Sequence, residues 1–262
     1  MSAEFEYVVV DQPHAVVRRI AIHVPDKRNA LSPPVVRELS EAFIGALSDS
    51  SVHAIVLTGT EGNFCAGGDL KTMDAMTEAA ARRRMQGNHA FASLVRGSNK
   101  PVVTALEGVA MGGGAGLALL ADIVVAGQGA RIGFPFLKVG LVPDYGLMHS
   151  LGRRVGWSQA RQLILRCQTV AGDKALALGM VDEAVADAEV QQVALQRAVE
   201  AARLPREAFL QVKRAFAEFP RTFSDDMQHE FEAQVAAFIG EELVEGVNAF
   251  RERREPDFVK LR

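Results

Sequence analysis

The chain carries Val109-Ala110-Met111-Gly112-Gly113-Gly114-Ala115-Gly116-Leu117-Ala118. This run follows Val102–Leu106, whose apolar and β-branched residues are typical of a buried strand, and it continues into residues that favour a helix. Three consecutive glycines allow the backbone to turn sharply and to approach a ligand closely. The first N–H groups of the following helix have no intrahelical partner and lie at the positive end of its dipole. The run therefore predicts a strand, a glycine turn and a helix that presents backbone donors.

A second glycine segment occurs earlier, at Gly62-Asn63-Phe64-Cys65-Ala66-Gly67-Gly68-Asp69-Leu70, just after the apolar run 54–58. If the two turns face each other, they aim two N–H donors at one developing oxyanion. Each segment taken alone is equally well explained as a tight structural turn. The glycines do not fit a dinucleotide fingerprint, because a G-x-G-x-x-G pattern that starts at Gly112 ends on Leu117.

One carboxylate stands out in the otherwise apolar segment 134–146, which contains Asp144 directly after Pro143. Such an aspartate is either the N-cap of a helix or a catalytic acid/base. If its surroundings exclude water, the pKa of the carboxyl rises above the ordinary value, towards that of a base able to act on a carbon acid.

Strands alternate with helical segments over the first 190 residues, which predicts an α/β architecture with partly parallel pairing. A helix is expected over residues 33–47, after Ser32. The predicted strands are 5–10, 15–24, 54–58, 102–106, 123–126 and 180–185.

The last part of the chain shows no strand pattern from about residue 190 onward and is interrupted at Pro205, Pro220 and Gly240. Its apolar residues recur at helical spacing, so an apolar helix face must cover either the same domain or a neighbouring subunit. We expect a core domain over residues 1–200 and a helical oligomerisation region over 201–262.

Composition excludes several classes of protein. The 262 residues are 48% hydrophobic and 23% charged, with a net charge of −3, as in ordinary globular domains. Without a basic excess, binding to nucleic acid or to an anionic membrane is not expected. No run is long enough to span a membrane, and the acidic first residues do not fit a secretory signal, so a cytoplasmic protein is expected. Cys65 and Cys167 form neither a disulfide framework nor a metal motif, and the arginines at 82–84 are interpreted as a solvated helix face.

Taken together, the motifs resemble the enoyl-CoA hydratase/isomerase (crotonase) superfamily over nearly the whole chain. The resemblance implies a spiral of ββα turns that binds acyl-CoA thioesters, with C-terminal helices that build homotrimers or dimers of trimers. It implies no metal or separate cofactor, since coenzyme A is part of the substrate, and it makes Gly68 and Gly113 the oxyanion donors. The segments that carry it are 25–31, 64–70, 107–114, 139–144, 177–181 and 245–250.

The same resemblance implies a set of residues that cradle the acyl-CoA, each with an ordinary turn, cap or solvated role as its alternative. Three of them, Lys27, Arg28 and Lys71, are placed to meet a phosphate of coenzyme A. The full set is Lys27, Arg28, Ala30, Ala66, Gly67, Gly68, Asp69, Leu70, Lys71, Gly112, Gly113, Pro135, Phe136 and Val139.

Departures from the family pattern indicate the chemistry. Hydratases of the family place two glutamates where this chain has Gly116 and Phe136, so the usual hydration route lacks its acid and its base. Asp144 matches the acid/base of the phenylacetate-pathway enoyl-CoA isomerases. One carboxylate is enough to convert a 3-enoyl-CoA to a 2-enoyl-CoA, or to isomerise a ring-epoxide arylacetyl-CoA.

Other functions remain open at this point. The chain is alternatively a catalytically silent acyl-CoA-binding protein, a CoA-thioester hydrolase or dehalogenase that acts through Asp144, or a hydratase with non-standard residues. The dehalogenases use an activating histidine, but the spacing of His89 does not match it. His149 departs from the run that follows the aspartate in the isomerases, so the acyl specificity stays open.

Overall fold

The structure of the protein is a computed structural model that describes residues 5–217 and 222–261. The chain divides into two compact units, residues 1–198 and 199–262. The acidic start of the chain and the expected break at Pro220 lie outside the described residues. The α/β fold class predicted from the sequence is confirmed by the mixed sheets and helices of the first unit.

The first unit is built around a six-stranded sheet in the order β1-β2-β3-β4-β6-β9. Strands β1 and β2 form an antiparallel hairpin, and every later neighbour pairs in parallel, as the alternation of strands and helices predicts. The two central strands are buried along their whole length, as is typical of parallel sheets. The strands are β1 Val8–His14, β2 Val17–Ile22, β3 Ala54–Gly59, β4 Val102–Leu106, β6 Ile123–Gly127 and β9 Glu183–Val185.

A second sheet of three short strands was not predicted. It consists of β5 Val109–Met111, β7 Arg131–Gly133 and β8 Thr169–Ala171, in the order β5-β7-β8. Three residues are too few to show the period-two alternation on which a strand prediction depends. This small sheet fixes the start of the glycine run, because β5 ends one residue before Gly112.

Three predicted strand ranges were wrong at their ends. The first strand covers 8–14 rather than 5–10, because its polar residues pair through the backbone with β2 at the edge of the sheet. Residues 15 and 16 form the hairpin turn instead of the start of β2, and the last strand begins at Glu183 instead of Met180.

Helix α1 covers Pro33–Ser48 and confirms the helix predicted after Ser32. It packs Phe43 edge to face against Phe91 of α2, Glu78–Arg96, with 6.0 Å between ring centroids. The remaining helices of this unit are α3 Gly113–Ala118, α4 Leu147–Val155, α5 Trp157–Leu165 and α6 Gly172–Ala177, and α7 is Val190–Ala202.

Three helices follow in the second unit, α8 Arg206–Ala217, α9 Phe223–Phe238 and α10 Glu241–Glu252. The breaks predicted at Pro205 and Gly240 are confirmed, since they lie directly before α8 and α10. These helices surround a cavity of about 1200 Å³ and expose large apolar side chains such as Phe238. Within the described parts of the chain, no helix combines the length and the apolar character that a membrane span requires.

Candidate active site

The two glycine segments predicted to face each other lie side by side. The N–H of Cys65 donates to the carbonyl of Val109 at 2.9 Å, and the N–H of Met111 donates back to the carbonyl of Cys65 at 2.9 Å. Cys65 and Ala110 thereby form an isolated parallel bridge. Strand β5 thus holds the second glycine turn against the first.

The approach of the two backbones requires glycine at two positions. A Cβ on Gly67, whose φ is +92°, would lie 2.5 Å from the carbonyl oxygen of Met111. A Cβ on Gly114 would lie 2.4 Å from the carbonyl oxygen of Cys65. Both distances are shorter than any side chain tolerates, so these glycines serve the close packing of the turns.

The proposed oxyanion donors belong to these turns. The position of a Cβ on Gly67 lies 3.7 Å from the backbone nitrogen of Gly113, which brings the two turns into direct proximity. Across residues 5–217 and 222–261, neither the N–H of Gly68 nor that of Gly113 donates a hydrogen bond to the protein. Two unused donors on neighbouring turns fit the recognition of a single oxygen atom.

A third segment, residues 27–31, lies against the first glycine turn. The N–H of Ala66 donates to the carbonyl of Arg28 at 2.9 Å, and the N–H of Leu31 donates to the carbonyl of Gly67 at 2.7 Å. Lys27 Nζ lies 2.7 Å from Asp69 Oδ2, and this hydrogen bond lowers the pKa of the Asp69 carboxyl. Backbone hydrogen bonds therefore join the segments 27–31 and 66–69, which contain most of the predicted binding residues.

The other predicted binding residues are less closely joined to the glycine turns. Leu70 is 56% exposed, and the side chain of Lys71 is also exposed. Phe136, on the 3-10 helix that begins at Pro135, is buried, and its ring lies 3.8 Å from a Cβ position on Gly112. Val139 ends the same 3-10 helix with 51% of its surface exposed. Ala30, within the segment 27–31, is buried.

Asp144 is brought to the glycine turns and does not cap a helix. The N-cap of α4 is Gly146, so the capping alternative for the Asp144 side chain is excluded. Asp144 Oδ1 lies 3.1 Å from the position that a Cβ on Gly113 would occupy. The carboxylate therefore sits directly beside one of the two proposed oxyanion donors.

The environment of Asp144 matches the requirement for a base. Its Oδ1 is buried and has no hydrogen-bond partner, while Oδ2 accepts only a long hydrogen bond of 3.4 Å from Asn88 Nδ2. Burial raises the pKa of the carboxyl, and the backbone N–H of Asp144 itself, the charge of Arg84, the Asn88 bond and the charge of His89 oppose that rise in part. No second carboxylate of the described residues contributes to this shift. A poorly solvated carboxylate binds a proton more readily than an exposed one.

Position 116 leaves no room for a side chain. A Cβ on Gly116 would lie 2.9 Å from Cβ of Tyr145 and 3.0 Å from the carbonyl oxygen of Asp144. Tyr145 is 1% exposed and adopts a φ of +51°, a conformation that is uncommon for a bulky residue. The Asp144-Tyr145 turn therefore occupies the space that a side chain at position 116 would need.

Sequence reasoning missed three residues of this site. Asn88 and Arg84 are four residues apart on α2, and this spacing was the available signal that they share a helix face. No sequence pattern indicated a role for Tyr145, because its conformation depends on the tertiary contacts of the turn that contains it. Among the residues that the structure describes, no three His, Cys, Asp or Glu side chains gather in a possible metal site.

Comparison with known proteins identifies relatives of this arrangement. The family model described as enoyl-CoA hydratase/isomerase matches residues 12–260. The chain is 32% identical over 240 residues to the 2,3-dehydroadipyl-CoA hydratase of Escherichia coli K12, covering 91% of this chain and 93% of that protein. It is 31% identical to the short-chain-enoyl-CoA hydratase of Clostridium acetobutylicum, covering 97% of this chain and 98% of that one.

Among solved structures, the enoyl-CoA hydratase of Bacillus anthracis superimposes with a TM-score of 0.91 at 26% sequence identity. The alignment covers 96% of this chain and 98% of the other. The fold is thus that of the crotonase superfamily, as the sequence resemblance implied.

Proposed function

The chain belongs to the enoyl-CoA hydratase/isomerase family, and we propose that it moves the double bond of a 3-enoyl-CoA to the 2-position. Asp144 is the single acid/base of this reaction, and the N–H groups of Gly68 and Gly113 bind the thioester oxygen. The observation that carries the proposal is the buried and unpaired Oδ1 of Asp144 beside Gly113.

The proposed reaction has two proton transfers. The carboxylate of Asp144 takes a proton from C2, and the electron pair of the broken C–H bond forms a C1–C2 double bond while the thioester oxygen becomes negative. Two preorganised N–H donors stabilise that charge, an effect worth about 10²–10³ in rate for each donor. The protonated Asp144 then returns the proton to C4, which leaves the double bond between C2 and C3.

Burial contributes to this mechanism by raising the proton affinity of Asp144. A base is most effective when its pKa approaches the working pH, and the raised pKa of this carboxyl moves it in that direction. The absence of room at Gly116 supports a route that needs no second carboxylate at that position. The same single-base chemistry extends to the isomerisation of a ring-epoxide arylacetyl-CoA.

Binding of the coenzyme A portion is proposed for the joined segments 27–31 and 66–69. Lys27 is tied to Asp69, whereas Arg28 and Lys71 make no ion pair with the described residues. These two cations are therefore the better candidates for contacts with phosphate groups. No metal or separate cofactor enters the proposed reaction.

Hydration of a 2-enoyl-CoA is the second candidate function, and the names of the relatives favour it. Both curated relatives described above are hydratases. In this chain Asp144 would have to activate the water without the two glutamates that hydratases of the family use.

The test compares the wild-type protein with Asp144→Asn on a 3-enoyl-CoA and, separately, a 2-enoyl-CoA, by absorbance of the conjugated thioester and by product mass. We expect conversion of the 3-enoyl ester without a gain of water, reduced about 10²–10⁴-fold in the variant because the base is lost. Asp173→Asn is the matched control, since Asp173 is an exposed aspartate on α6. Addition of water to the 2-enoyl ester would favour the hydratase, and full isomerase activity in Asp144→Asn would contradict the proposal.

A further inference from the structure

Arg84 differs from the two arginines that precede it. Arg82 is paired with Glu78 and has a side chain that is 74% exposed, and Arg83 is exposed as well. These two confirm the solvated helix face expected for the run 82–84. Arg84 contradicts it, because it is half-buried and lies on the same face of α2 as Asn88, whose amide contacts Asp144.

The guanidinium of Arg84 is fixed by two hydrogen bonds. Its Nη1 donates to Thr72 Oγ1 at 2.9 Å, and its Nη2 donates to the carbonyl of Leu31 at 3.2 Å. Leu31 is paired with the first glycine turn, because its carbonyl also accepts the N–H of Asp69 at 2.8 Å. The positive charge of Arg84 is thus held on the backbone segment that carries Gly68.

The distance to Gly68 is short. Nη2 of Arg84 lies 3.4 Å from the position of a Cβ on Gly68. The two acceptors of the Arg84 hydrogen bonds are neutral oxygens, and in the described chain no carboxylate lies within ion-pair distance of this guanidinium. Three of its five N–H donors remain unused by these bonds. A fixed cation with no carboxylate of the described residues within ion-pair distance, beside a predicted oxyanion donor, is suited to a negative charge that the substrate supplies.

We propose that Arg84 is a third electrostatic group of the active site, which stabilises the negative thioester oxygen formed when C2 loses its proton. This inference rests on the proposed function and adds a residue to it. When the C2–H bond breaks, the proton passes to Asp144 and the electron pair moves towards the oxygen held by Gly68. The charge of Arg84 favours that state more than the neutral ground state, and it also keeps Asp144 ionised before the reaction.

The test measures exchange of the C2 protons of phenylacetyl-CoA in deuterium oxide, followed by mass. This thioester has acidic C2 protons and no double bond to move, so exchange reports on proton removal alone. We expect Arg84→Met to slow exchange about 10²-fold while the dissociation constant for phenylacetyl-CoA changes less than about threefold. Arg84→Lys retains the charge and should recover part of the rate, and Arg83→Met should exchange like the wild type.

A second readout separates electrostatics from a loss of structure. The other titratable groups that face Asp144 are His89, whose charge also lowers its pKa, and Cys65 and Tyr145, whose own pKa values are raised by burial. Because the Arg84 charge lowers the pKa of Asp144, the pH at half-maximal exchange should rise in Arg84→Met and move back in Arg84→Lys. A merely structural role would reduce the rate without this shift. Equal thermal midpoints of the variants would show that they are folded.

Several results would overturn the inference. Exchange at the wild-type rate in Arg84→Met would do so, as would a loss of affinity that accounts for the whole loss of rate. If Arg84→Met weakens the binding only of acyl-CoA thioesters whose acyl chain ends in a carboxylate, Arg84 recognises the acyl group instead. If 3-enoyl-CoA is not isomerised but exchange depends on both Asp144 and Arg84, the isomerase proposal fails and this inference stands. If the wild type performs no exchange, this inference fails, and conversion of 3-enoyl-CoA in the same preparation decides the isomerase proposal separately.

Discussion

The carboxylates of Asp144 and Glu245 have opposite surroundings. Asp144 has one buried oxygen without a partner and one long hydrogen bond of 3.4 Å. The oxygens of Glu245 accept hydrogen bonds of 2.6 and 3.1 Å from Arg254, and one of them also accepts the N–H of Asp257 at 2.7 Å. Burial raises the pKa of Asp144, whereas the hydrogen bond from Arg254, with that from Asp257, lowers the pKa of Glu245 to about 2.

This difference separates a structural carboxylate from a reactive one. Glu245 is saturated with donors and stays ionised, so it anchors the end of the chain onto α10. Asp144 lacks such donors, and its ionised form is therefore destabilised and ready to accept a proton. The destabilised ionised form of Asp144 thus lies at the site where the proposed reaction needs a base.

The apolar side chains near Asp144 are buried, whereas many of those in the helical unit are exposed. Around Asp144, the rings of Phe136 and Tyr145 are 5% and 1% exposed. In the helical unit, Phe223, Ile239 and Phe250 are 80%, 86% and 84% exposed. Exposed apolar side chains in such number are typical of an association surface. We propose that this surface joins copies of the chain into trimers or dimers of trimers, as the sequence resemblance implies.

After the loss of Asp144 itself, the largest effect is expected when the Asp144 turn is displaced. Gly116→Ala places a methyl group 2.9 Å from Tyr145 and 3.0 Å from the Asp144 carbonyl. A shift of the base by about 1 Å reduces the rate about 10²-fold, with about 1–3 kcal/mol of lost stability from overpacking.

The matched control is Gly87→Ala on α2, where a methyl group meets nothing within 4 Å. It should keep the rate and gain up to about 1 kcal/mol in the free energy of unfolding. Steady-state kinetics and denaturant titration measure both quantities. An unchanged rate in Gly116→Ala would mean that the exact position of Asp144 is unimportant.

A smaller effect is expected for association. Phe231 and Phe238 are seven residues apart on α9, so they share a face, and each is 63% exposed. Replacing both with serine should weaken subunit binding by about 30-fold in total, at about 1 kcal/mol for each residue. Sedimentation across a range of concentrations measures the change, with the exposed Glu232→Ser as the control on the same helix. A wild-type chain that stays monomeric would contradict the proposed trimer.

The smallest expected effect is a change in the free energy of unfolding. This change has opposite signs when Asp144 and Glu245 are replaced. The raised pKa of Asp144 means that its ionisation destabilises the fold as the pH increases above about 4, so Asp144→Asn should stabilise the protein at pH 7 and much less at pH 4. The pKa of Glu245 is lowered, so its contribution is present above about 4.5 and is lost as the pH falls towards 2.

Glu245→Gln should therefore destabilise the protein at pH 7, the reverse of Asp144→Asn. Denaturation midpoints of both variants at pH 7 and pH 4 test this pair. The same sign for both variants at pH 7 would show that the hydrogen-bond difference does not control their energetics.

Much of the fold was predictable because its main elements have strong patterns. Helix α1 and strands β3, β4 and β6 show continuous apolar runs or helical spacing, and they were predicted within two residues. The three-residue strands β5, β7 and β8 were not, since pairing between distant segments determines them. Edge strand β1 was misplaced because polar residues satisfy its backbone pairing as well as apolar ones do.

Residues of the candidate site were likewise predictable where a local motif identified them and not where long-range contacts determine their position. Gly67, Gly113 and Asp144 were identified from local motifs and from the family resemblance, and the structure places them together. The inward orientation of Arg84 was not visible in its run of three arginines. It depends on the carbonyl of Leu31 and on Thr72, which long-range pairing brings to α2.

The most direct measurement is the rate of 3-enoyl-CoA isomerisation as a function of pH for the wild type, Asp144→Asn and Glu245→Gln. We predict that the wild-type rate rises with one ionisation above the usual pKa of an aspartate, that Glu245→Gln keeps this profile, and that Asp144→Asn loses the rate at every pH. A wild-type rate in Asp144→Asn would contradict the claim that the unpaired carboxylate is the base.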